Sequence, residues 1–290
     1  MDKLLVIGNN GQIAQSIAKI AHQYSSLDIS YSDRSQLDLA DPTLIANYFD
    51  RYRFDVVINS AAYTAVDKAE SEQVLVERIN HYAVQQLAEI ARQQQFILIQ
   101  VSTDYVFDST KNTPYLESDP THPVSIYGKS KRSGEEAIEA IVPMGCIVRT
   151  SWLYSEFGRN FVKTMLRLGK ERDQLNVVYD QIGSPTYATD FAHVLLTIAT
   201  SETIQLPQET TPIYHYTNQG LASWYDLAIA IFELTQTDCN VRPITSEKYP
   251  TTAKRPHYSV LNTEKVEQQF HITIPYWRDS LRNCLKQLCL

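Results

Sequence analysis

The sequence has 290 residues, which is about two domains of ordinary size and enough to bury a substantial hydrophobic core. Hydrophobic residues make up 43% and charged residues 20%, and no stretch approaches the roughly 18 consecutive apolar residues that a membrane-spanning helix needs. The composition therefore excludes a small disulfide-stabilised protein and a membrane-spanning one. The net charge of −7 argues against broad nucleic-acid binding and leaves room for a local basic site that binds a small anion.

The amino terminus and the cysteines indicate a reducing compartment. Residues 1–7 include an acid and form too short an apolar run for a secretory signal, and Gly8 ends that run. The four cysteines show no Cys-x-x-Cys spacing and are too few for a disulfide framework. They are Cys146, Cys239, Cys284 and Cys289. We therefore expect a cytoplasmic protein with unpaired thiols.

The first half of the chain alternates strand and helix patterns. Apolar runs at residues 3–7, 55–59, 96–101 and 146–149 predict strands, and residues with helical spacing lie between them. One of these helices is expected to begin with Asp41 as its N-cap and Pro42 in its first turn. Continuous apolar strands that alternate with helices predict an α/β fold, in which helices cover both faces of a parallel sheet.

The alternation becomes less regular after residue 150. Short strand patterns at residues 176–179 and 213–216 occur between predicted helices, and Ser223 with Asp226 forms a capping-box start for the last of these helices. We therefore predict a first domain over residues 1–150. A smaller α+β domain is predicted over residues 151–290, and the two are allowed to interleave.

Two glycines mark the turn between the first strand and the first helix. Gly8 and Gly11 are three residues apart, and Ala14 completes a Gly-x-x-Gly-x-x-Ala pattern. The pyrophosphate of a dinucleotide needs close backbone approach and the free N–H groups of a helix N-terminus, and glycines here supply both. The spacing alone is equally compatible with a strand-to-helix turn that binds no ligand.

Two aspartates lie about where the second strand should end. Asp33 or Asp38 can accept hydrogen bonds from an adenosine ribose there, although Asp38 is alternatively a turn residue. Arg34 could reach a 2′-phosphate, which favours NADPH, whereas Asp33 favours NADH. The choice of cofactor stays open, with NADPH preferred.

Tyr127 and Lys131 are four residues apart on one face of a predicted helix, so the ammonium can lie near the phenol. A carbonyl that accepts hydride becomes an alkoxide and needs a proton. A phenol is a better donor near neutral pH when a cation stabilises its ionised form. Such a pair also arises readily by chance, so it needs supporting residues.

Thr103 offers that support because it follows the predicted strand that ends at Val101. A parallel sheet presents residues to ligands at the carboxyl ends of its strands. A Thr103 hydroxyl could hold a substrate carbonyl against Tyr127. The alternative role for Thr103 is an ordinary cap or turn hydroxyl.

Together these motifs resemble the extended short-chain dehydrogenase/reductase superfamily. Longer blocks resemble the dTDP-4-dehydrorhamnose reductase family within it. These blocks are residues 61–70, 102–107, 149–152, 160–165, 180–186 and 255–262. The resemblance implies a Rossmann-like, doubly wound parallel sheet. Residues 1–150 would bind the dinucleotide, and residues 151–290 would mainly bind a nucleotide sugar.

The resemblance also implies residue roles. The catalytic trio would be Thr103, Tyr127 and Lys131, with Tyr127 as proton donor and Lys131 also holding the nicotinamide ribose. The implied cofactor-binding residues are Gly8, Gly11, Gln12 and Ile13 at the pyrophosphate, Asp33, Arg34, Asp38 and Leu39 at the adenosine, and Ala62, Tyr63 and Thr64 along the cofactor. The implied sugar-contacting residues are Thr103, Asp104, Tyr105 and Trp152. The implied reaction reduces the 4-keto group of dTDP-4-dehydro-β-L-rhamnose with NAD(P)H, giving dTDP-L-rhamnose for surface polysaccharide.

Some family members carry metal-binding glutamates at a dimer contact, at positions that match Ser16 and Thr189. Neither residue is a good metal ligand, so we expect no structural metal, and the chain is expected to be a monomer or a homodimer. None of the seven histidines shows zinc-ligand spacing. The expected partner is the dTDP-sugar substrate, without nucleic acid or membrane.

Two other functions remain open. Another extended short-chain enzyme, such as a nucleotide-sugar epimerase or dehydratase, would use the same Tyr127 and Lys131. A regulatory protein that binds the cofactor without turnover would be marked by a broken catalytic trio, and here all three members are present. Release of oxidised cofactor distinguishes net reduction from redox-neutral chemistry.

Overall fold

The computed structural model describes residues 1–205 and 209–288, so Cys289 lies outside the described part of the chain. The strands are β1 (Asp2–Ile7), β2 (Leu27–Ser32), β3 (Val56–Asn59), β4 (Ile97–Thr103), β5 (Gly145–Thr150), β6 (Leu153–Tyr154), β7 (Gln174–Val178), β8 (Ile182–Gly183), β9 (Thr186–Tyr187), β10 (Ile213–His215), β11 (Ala222–Ser223) and β12 (Asn240–Ile244). The helices are α1 (Gln12–Ile20), α2 (Pro42–Arg51), α3 (Val66–Ala69), α4 (Gln73–Glu77), α5 (Ala83–Gln94), α6 (Ile126–Ile141), α7 (Phe161–Glu171), α8 (Ala188–Ala199), α9 (Trp224–Thr235), α10 (Glu264–Phe270) and α11 (Trp277–Leu288). A π-helical turn, Arg78–Tyr82, separates α4 from α5.

The main sheet has six strands in the order β10-β5-β4-β3-β1-β2, and every pairing within it is parallel. The chain passes from β1 to β2 on one side and then crosses to β3 on the other side of β1. The boundary between β1 and β3 is therefore a topological switch point, where sheets of this kind bind ligands at the carboxyl ends of their strands. The expected Rossmann-like parallel sheet is confirmed.

Helices cover both faces of this sheet because successive strand residues point to opposite sides. Leu4 and Val6 of β1 belong to the apolar core beneath α1 and α8. Leu5 and Ile7 belong to the core beneath α2, α5 and α6. Both faces of the strand are buried, which explains its continuous apolar sequence.

A second apolar core lies among α7, α9 and α11 and the parallel pair formed by β7 and β12. After residue 150 the chain also contributes a strand to the main sheet. Although residues 213–216 fall in the range expected for the smaller domain, β10 pairs with β5 at the edge of the main sheet. This pairing is favourable because it satisfies the backbone hydrogen-bonding groups along the edge of β5, which would otherwise be unpaired.

Two predicted helix starts are confirmed. The Asp41 carboxylate accepts hydrogen bonds from the backbone N–H groups of Thr43 and Leu44, at 2.8 and 3.2 Å, with Pro42 in the first turn. Ser223 and Asp226 form the reciprocal bonds of a capping box. No helix in the described residues combines the length and the apolar character needed to cross a membrane.

Candidate active site

Thr103 and Asp104 lie at the carboxyl end of β4. The Thr103 Oγ1 accepts a hydrogen bond from the Tyr105 backbone N–H at 3.2 Å and donates one to Asp104 Oδ1 at 3.1 Å. These bonds begin a short 3₁₀ turn, so the alternative role of Thr103 as a capping hydroxyl is confirmed. The same hydroxyl also interacts with Tyr127. Its catalytic role stays a prediction.

Tyr127 and Lys131 lie one turn apart on α6. Ser125 caps this helix by accepting a hydrogen bond from the Gly128 N–H at 3.1 Å. Both side chains are buried, with Tyr127 8% and Lys131 5% exposed. The ring of Tyr105 meets that of Tyr127 edge to face, with 5.5 Å between the ring centroids. The helix start therefore brings the predicted phenol and ammonium to the end of β4.

Burial governs the charge states of these two groups. It raises the pKa of Tyr127 above its ordinary value, and the Thr103 hydroxyl opposes this rise only in part. It lowers the pKa of Lys131 to about 8, and the Glu135 carboxylate opposes that change. The ammonium donates to the Val101 carbonyl oxygen at 2.8 Å. Desolvation dominates the pKa of the phenol in this structure, and the expectation that Lys131 makes the phenol more acidic stays a prediction.

Asp104 is a buried carboxyl with spare hydrogen-bonding capacity. It is 2% exposed, and burial raises its pKa to about 6, although hydrogen bonds from the Ser259 and Thr103 hydroxyls oppose the rise. Its Oδ2 atom has no hydrogen-bond partner among the described residues. A buried oxygen without a partner costs about 1–3 kcal/mol, so a donor from a bound ligand would be favoured at this atom.

Gly8 and Gly11 form the turn at the switch point. Gly8 has a φ of +103°, and a Cβ there would lie 3.2 Å from Ala61 in the turn after β3. The Gly11 N–H donates to the Gly8 carbonyl at 2.8 Å, and Gly11 is the N-cap of α1. This turn admits close backbone approach at a helix N-terminus. The residues present therefore fit the pyrophosphate of a dinucleotide.

Gln12 and Ile13 begin α1, but their side chains have other partners. Ile13 packs into the core beneath α1. The Gln12 Oε1 accepts hydrogen bonds from Ser155 Oγ and Asn160 Nδ2, at 2.8 and 2.9 Å. Their backbone N–H groups, rather than their side chains, are therefore the groups suited to a pyrophosphate.

The residues expected at the adenosine form a tight turn after β2. The Asp33 Oδ1 accepts hydrogen bonds from both the N–H and the hydroxyl of Ser35. The Asp38 Oδ1 accepts one from the Ala40 N–H, so its alternative role as a turn residue is confirmed. Arg34 pairs with Asp38 through its Nε at 3.0 Å, and its side chain remains 73% exposed.

Leu39 and the segment after β3 complete the predicted cofactor residues. Leu39 is buried, Ala62 and Tyr63 are half-buried, and Thr64 is exposed. The Asn80 side chain holds this segment by accepting from the Tyr63 N–H at 2.8 Å and donating to the Tyr63 carbonyl at 3.1 Å. No role for Asn80 is predicted from the sequence. Its buried side-chain amide shows in the structure that it holds the segment after β3.

Asp67 and Arg255 also join the site without a predicted role. Arg255 donates to the Tyr105 hydroxyl at 3.1 Å and to Asp67 Oδ2 at 2.6 Å. The Ala253 N–H donates to the other oxygen of Asp67 at 3.1 Å. These bonds fasten the segment around residue 255 to α3 beside Tyr105. In the sequence, this ion pair is indicated only by the position of Asp67 and Arg255 within the longer blocks that carry the family resemblance.

Trp152 lies two residues after Thr150, which pairs with Thr103 in the register of β4 and β5. It therefore follows a strand end at the same edge of the sheet. Its ring stacks on that of Trp224, at 3.6 Å between ring centroids, whereas the ring of Tyr105 contacts that of Tyr127. The structure thus brings Thr103, Asp104, Tyr105, Tyr127 and Lys131 together and places Trp152 in an adjoining aromatic group.

A glycine turn at the switch point of a parallel sheet, with threonine, tyrosine and lysine meeting at its carboxyl edge, defines an extended short-chain dehydrogenase/reductase. Within this class, the family model described as the RmlD substrate binding domain matches residues 2–290. A dTDP-4-dehydrorhamnose reductase from Aggregatibacter actinomycetemcomitans is 42% identical over 98% of both chains. The chain belongs to the dTDP-4-dehydrorhamnose reductase family.

Solved structures are similar over the whole chain. A dTDP-4-dehydrorhamnose reductase from Clostridium acetobutylicum is 38% identical with a TM-score of 0.92, covering 99% of this chain and 100% of its own. One from Bacillus anthracis, solved in complex with NADP, is 33% identical with a TM-score of 0.92, covering 99% of each. A UDP-glucose 4-epimerase from Thermus thermophilus, 17% identical with a TM-score of 0.83 and covering 99% of each chain, shares the fold alone.

Proposed function

We propose that this protein reduces the 4-keto group of dTDP-4-dehydro-β-L-rhamnose with NADPH, giving dTDP-L-rhamnose. The observation that carries the proposal is the meeting of Thr103, Tyr127 and Lys131 at the carboxyl edge of the sheet that also bears the glycine turn. Relatives named as dTDP-4-dehydrorhamnose reductases, 42% and 41% identical over nearly their full length, support this substrate.

Tyr127 is the proposed proton donor. Its raised pKa keeps the phenol protonated at neutral pH, so it holds the proton that the C4 oxygen requires as negative charge develops there. The Thr103 hydroxyl is proposed to hydrogen-bond that oxygen and orient it toward the phenol. When bound, the nicotinamide supplies the hydride.

Lys131 is proposed to stabilise the anion that remains on Tyr127. With a pKa of about 8, most of the lysine is protonated at neutral pH despite its burial. A cation one helical turn away favours the phenolate electrostatically once the proton has left. Lys131 is also proposed to bind the nicotinamide ribose.

The turn after β2 supports NADPH over NADH. Asp33 uses its carboxylate within the turn, which leaves less of it to accept hydrogen bonds from a ribose. Arg34 bonds Asp38 through Nε alone, so its exposed terminal nitrogens remain able to bind a 2′-phosphate. The NADP complex of the Bacillus anthracis relative supports the same choice.

The sugar is proposed to contact Asp104, Tyr105 and Trp152. The unpartnered Oδ2 of Asp104 is suited to accept a hydrogen bond from a sugar hydroxyl. The Tyr105 hydroxyl is fixed by Arg255, and Trp152 offers a partly exposed indole.

The test supplies enzymatically prepared dTDP-4-dehydro-L-rhamnose with NADPH or NADH and follows both nicotinamide absorbance and the sugar product. We expect one NADPH oxidised for each dTDP-L-rhamnose formed, with NADH the poorer donor. A sugar that changes without oxidation of the cofactor would instead indicate epimerase or dehydratase chemistry. No change in either substrate would indicate a protein that binds without turnover.

A further inference from the structure

Trp152 has a backbone conformation that bulky residues rarely adopt. Its φ is +48°, in the left-handed region, which is strained for a residue with a side chain. The strain occurs just beyond the strand end that pairs with Thr103, at the candidate active site. Strain that persists at such a place must be offset by the surrounding contacts.

Two neighbours hold the Trp152 indole in place. Trp224 stacks on it with 3.6 Å between ring centroids and 5° between ring planes. Gly183 lies against it so closely that a Cβ there would come within 2.6 Å of Trp152 Cε2. A stacked aromatic pair is favourable beyond the burial of its area, and this attraction opposes the backbone strain.

Trp224 is itself fixed in position. It is the first residue of α9, directly after the capping residue Ser223. Its Nε1 donates to Gln181 Oε1 at 3.1 Å, and Gln181 Nε2 donates to Ser246 Oγ at 2.9 Å. Because the indole is held by a helix start and a hydrogen-bond chain, it provides a firm support for the ring stacked on it.

We infer that Trp224 is a positioning residue that determines affinity for the sugar by holding the Trp152 indole at the sugar-binding edge. The inference rests on the proposed function, in which Trp152 contacts the sugar. An aromatic ring packs against the C–H groups of a pyranose through dispersion and apolar burial, and both depend steeply on distance. By fixing the Trp152 indole, Trp224 therefore affects the affinity for the sugar.

The experiment compares Trp224→Leu and Trp224→Phe with the wild type. Steady-state kinetics with dTDP-4-dehydro-L-rhamnose and NADPH gives KM for each, and near-ultraviolet circular dichroism reports the coupled indole pair. We expect Trp224→Leu to lose the coupled signal and raise KM for the sugar about 10-fold or more, with KM for NADPH unchanged. Trp224→Phe retains a stacking ring, so its KM for the sugar should lie between the values for the wild type and for Trp224→Leu.

Trp277→Phe is the matched control, because Trp277 belongs to the same apolar core and is separate from the stacked pair. It should lower stability while preserving the coupled signal and KM for the sugar. The inference is overturned if Trp224→Leu loses the signal but keeps the wild-type KM for the sugar. It is also overturned if the KM values for both substrates rise equally, because that result indicates a general structural role.

Titration calorimetry with dTDP-L-rhamnose measures the affinity for the sugar in the same variants without turnover. Weaker binding to Trp224→Leu than to the wild type supports the inference, and equal binding overturns it. A wild-type protein that binds this sugar but does not oxidise NADPH with the ketosugar overturns the proposed reaction alone.

Discussion

At the scale of single residues, the candidate site combines polar groups with strong burial. The pKa values of Tyr127 and Asp104 are raised and that of Lys131 is lowered, because burial removes each group from solvent. All three shifts favour the neutral form. The Tyr127 phenol therefore keeps its proton at neutral pH until a reacting oxygen needs it, which suits a proton donor.

Asp104→Asn is predicted to stabilise the protein at neutral and alkaline pH. The folded-state pKa of about 6 lies above the ordinary value of 3.8, so the folded protein binds more protons between these values. The wild-type free energy of unfolding therefore falls as pH rises through that window, and the loss persists above it. Urea denaturation at pH 8 should show a gain of about 1–3 kcal/mol for the variant.

Near pH 3, where both side chains are neutral, this difference should vanish. The exposed Asp50→Asn is the control and should change stability little at either pH. A wild type as stable as Asp104→Asn at pH 8 would show that the buried carboxyl carries no such penalty.

At the scale of elements, the placement of α6 depends on a close approach. Gly134 of this helix lies against the π-helical turn, where a Cβ would come 2.3 Å from the Asn80 carbonyl oxygen. Because α6 carries both Tyr127 and Lys131, this contact helps to position the two candidate catalytic groups relative to the π-helical turn.

Gly134→Ala is therefore predicted to destabilise the protein, although alanine in place of glycine elsewhere in a helix stabilises by up to about 1 kcal/mol. The added methyl group should displace α6, costing about 1–3 kcal/mol. We expect kcat to fall as Tyr127 moves. Thermal unfolding and steady-state kinetics measure both effects, with Ser133→Ala on the same helix as control. Increased stability with normal kcat would contradict the proposed packing.

Local signals account for what the sequence predicted correctly. Asp41 and Ser223 cap helices through bonds to residues two or three positions away, so the pattern is visible in a short window. Gly8 and the continuous apolar strands are equally local. The pairing of Arg255 with Asp67 joins residues 188 positions apart, and no single-sequence periodicity encodes such a contact. The desolvation that raises the pKa of Tyr127 was not predicted, because spacing reveals a neighbouring cation but not burial.

At the scale of the whole molecule, the two parts share segments of chain. α8 packs beneath the main sheet with α1, and β10 forms its outer edge beside β5. The Gln12 side chain also bonds residues of the 155–160 loop, which joins the glycine turn to the later half. The layer built on the main sheet is therefore completed by residues far beyond position 150.

A fragment of residues 1–150 is predicted not to fold cooperatively. It would expose the edge of β5 and the apolar face that α8 covers, both buried in the full chain. Circular dichroism should show no sharp thermal transition for the fragment, whereas the full chain should show one. A fragment with a cooperative transition and dispersed amide resonances would refute the requirement for α8 and β10.

Tyr127 is proposed to supply the proton in reduction of the ketosugar. Single-turnover oxidation of bound NADPH by dTDP-4-dehydro-L-rhamnose tests it in Tyr127→Phe, with Tyr115→Phe as a control whose buried ring lies in a separate apolar cluster. We predict that Tyr127→Phe slows this step by about 100-fold or more while NADPH affinity and the control rate stay at wild-type values. A wild-type rate in Tyr127→Phe would show that Tyr127 is not the proton donor.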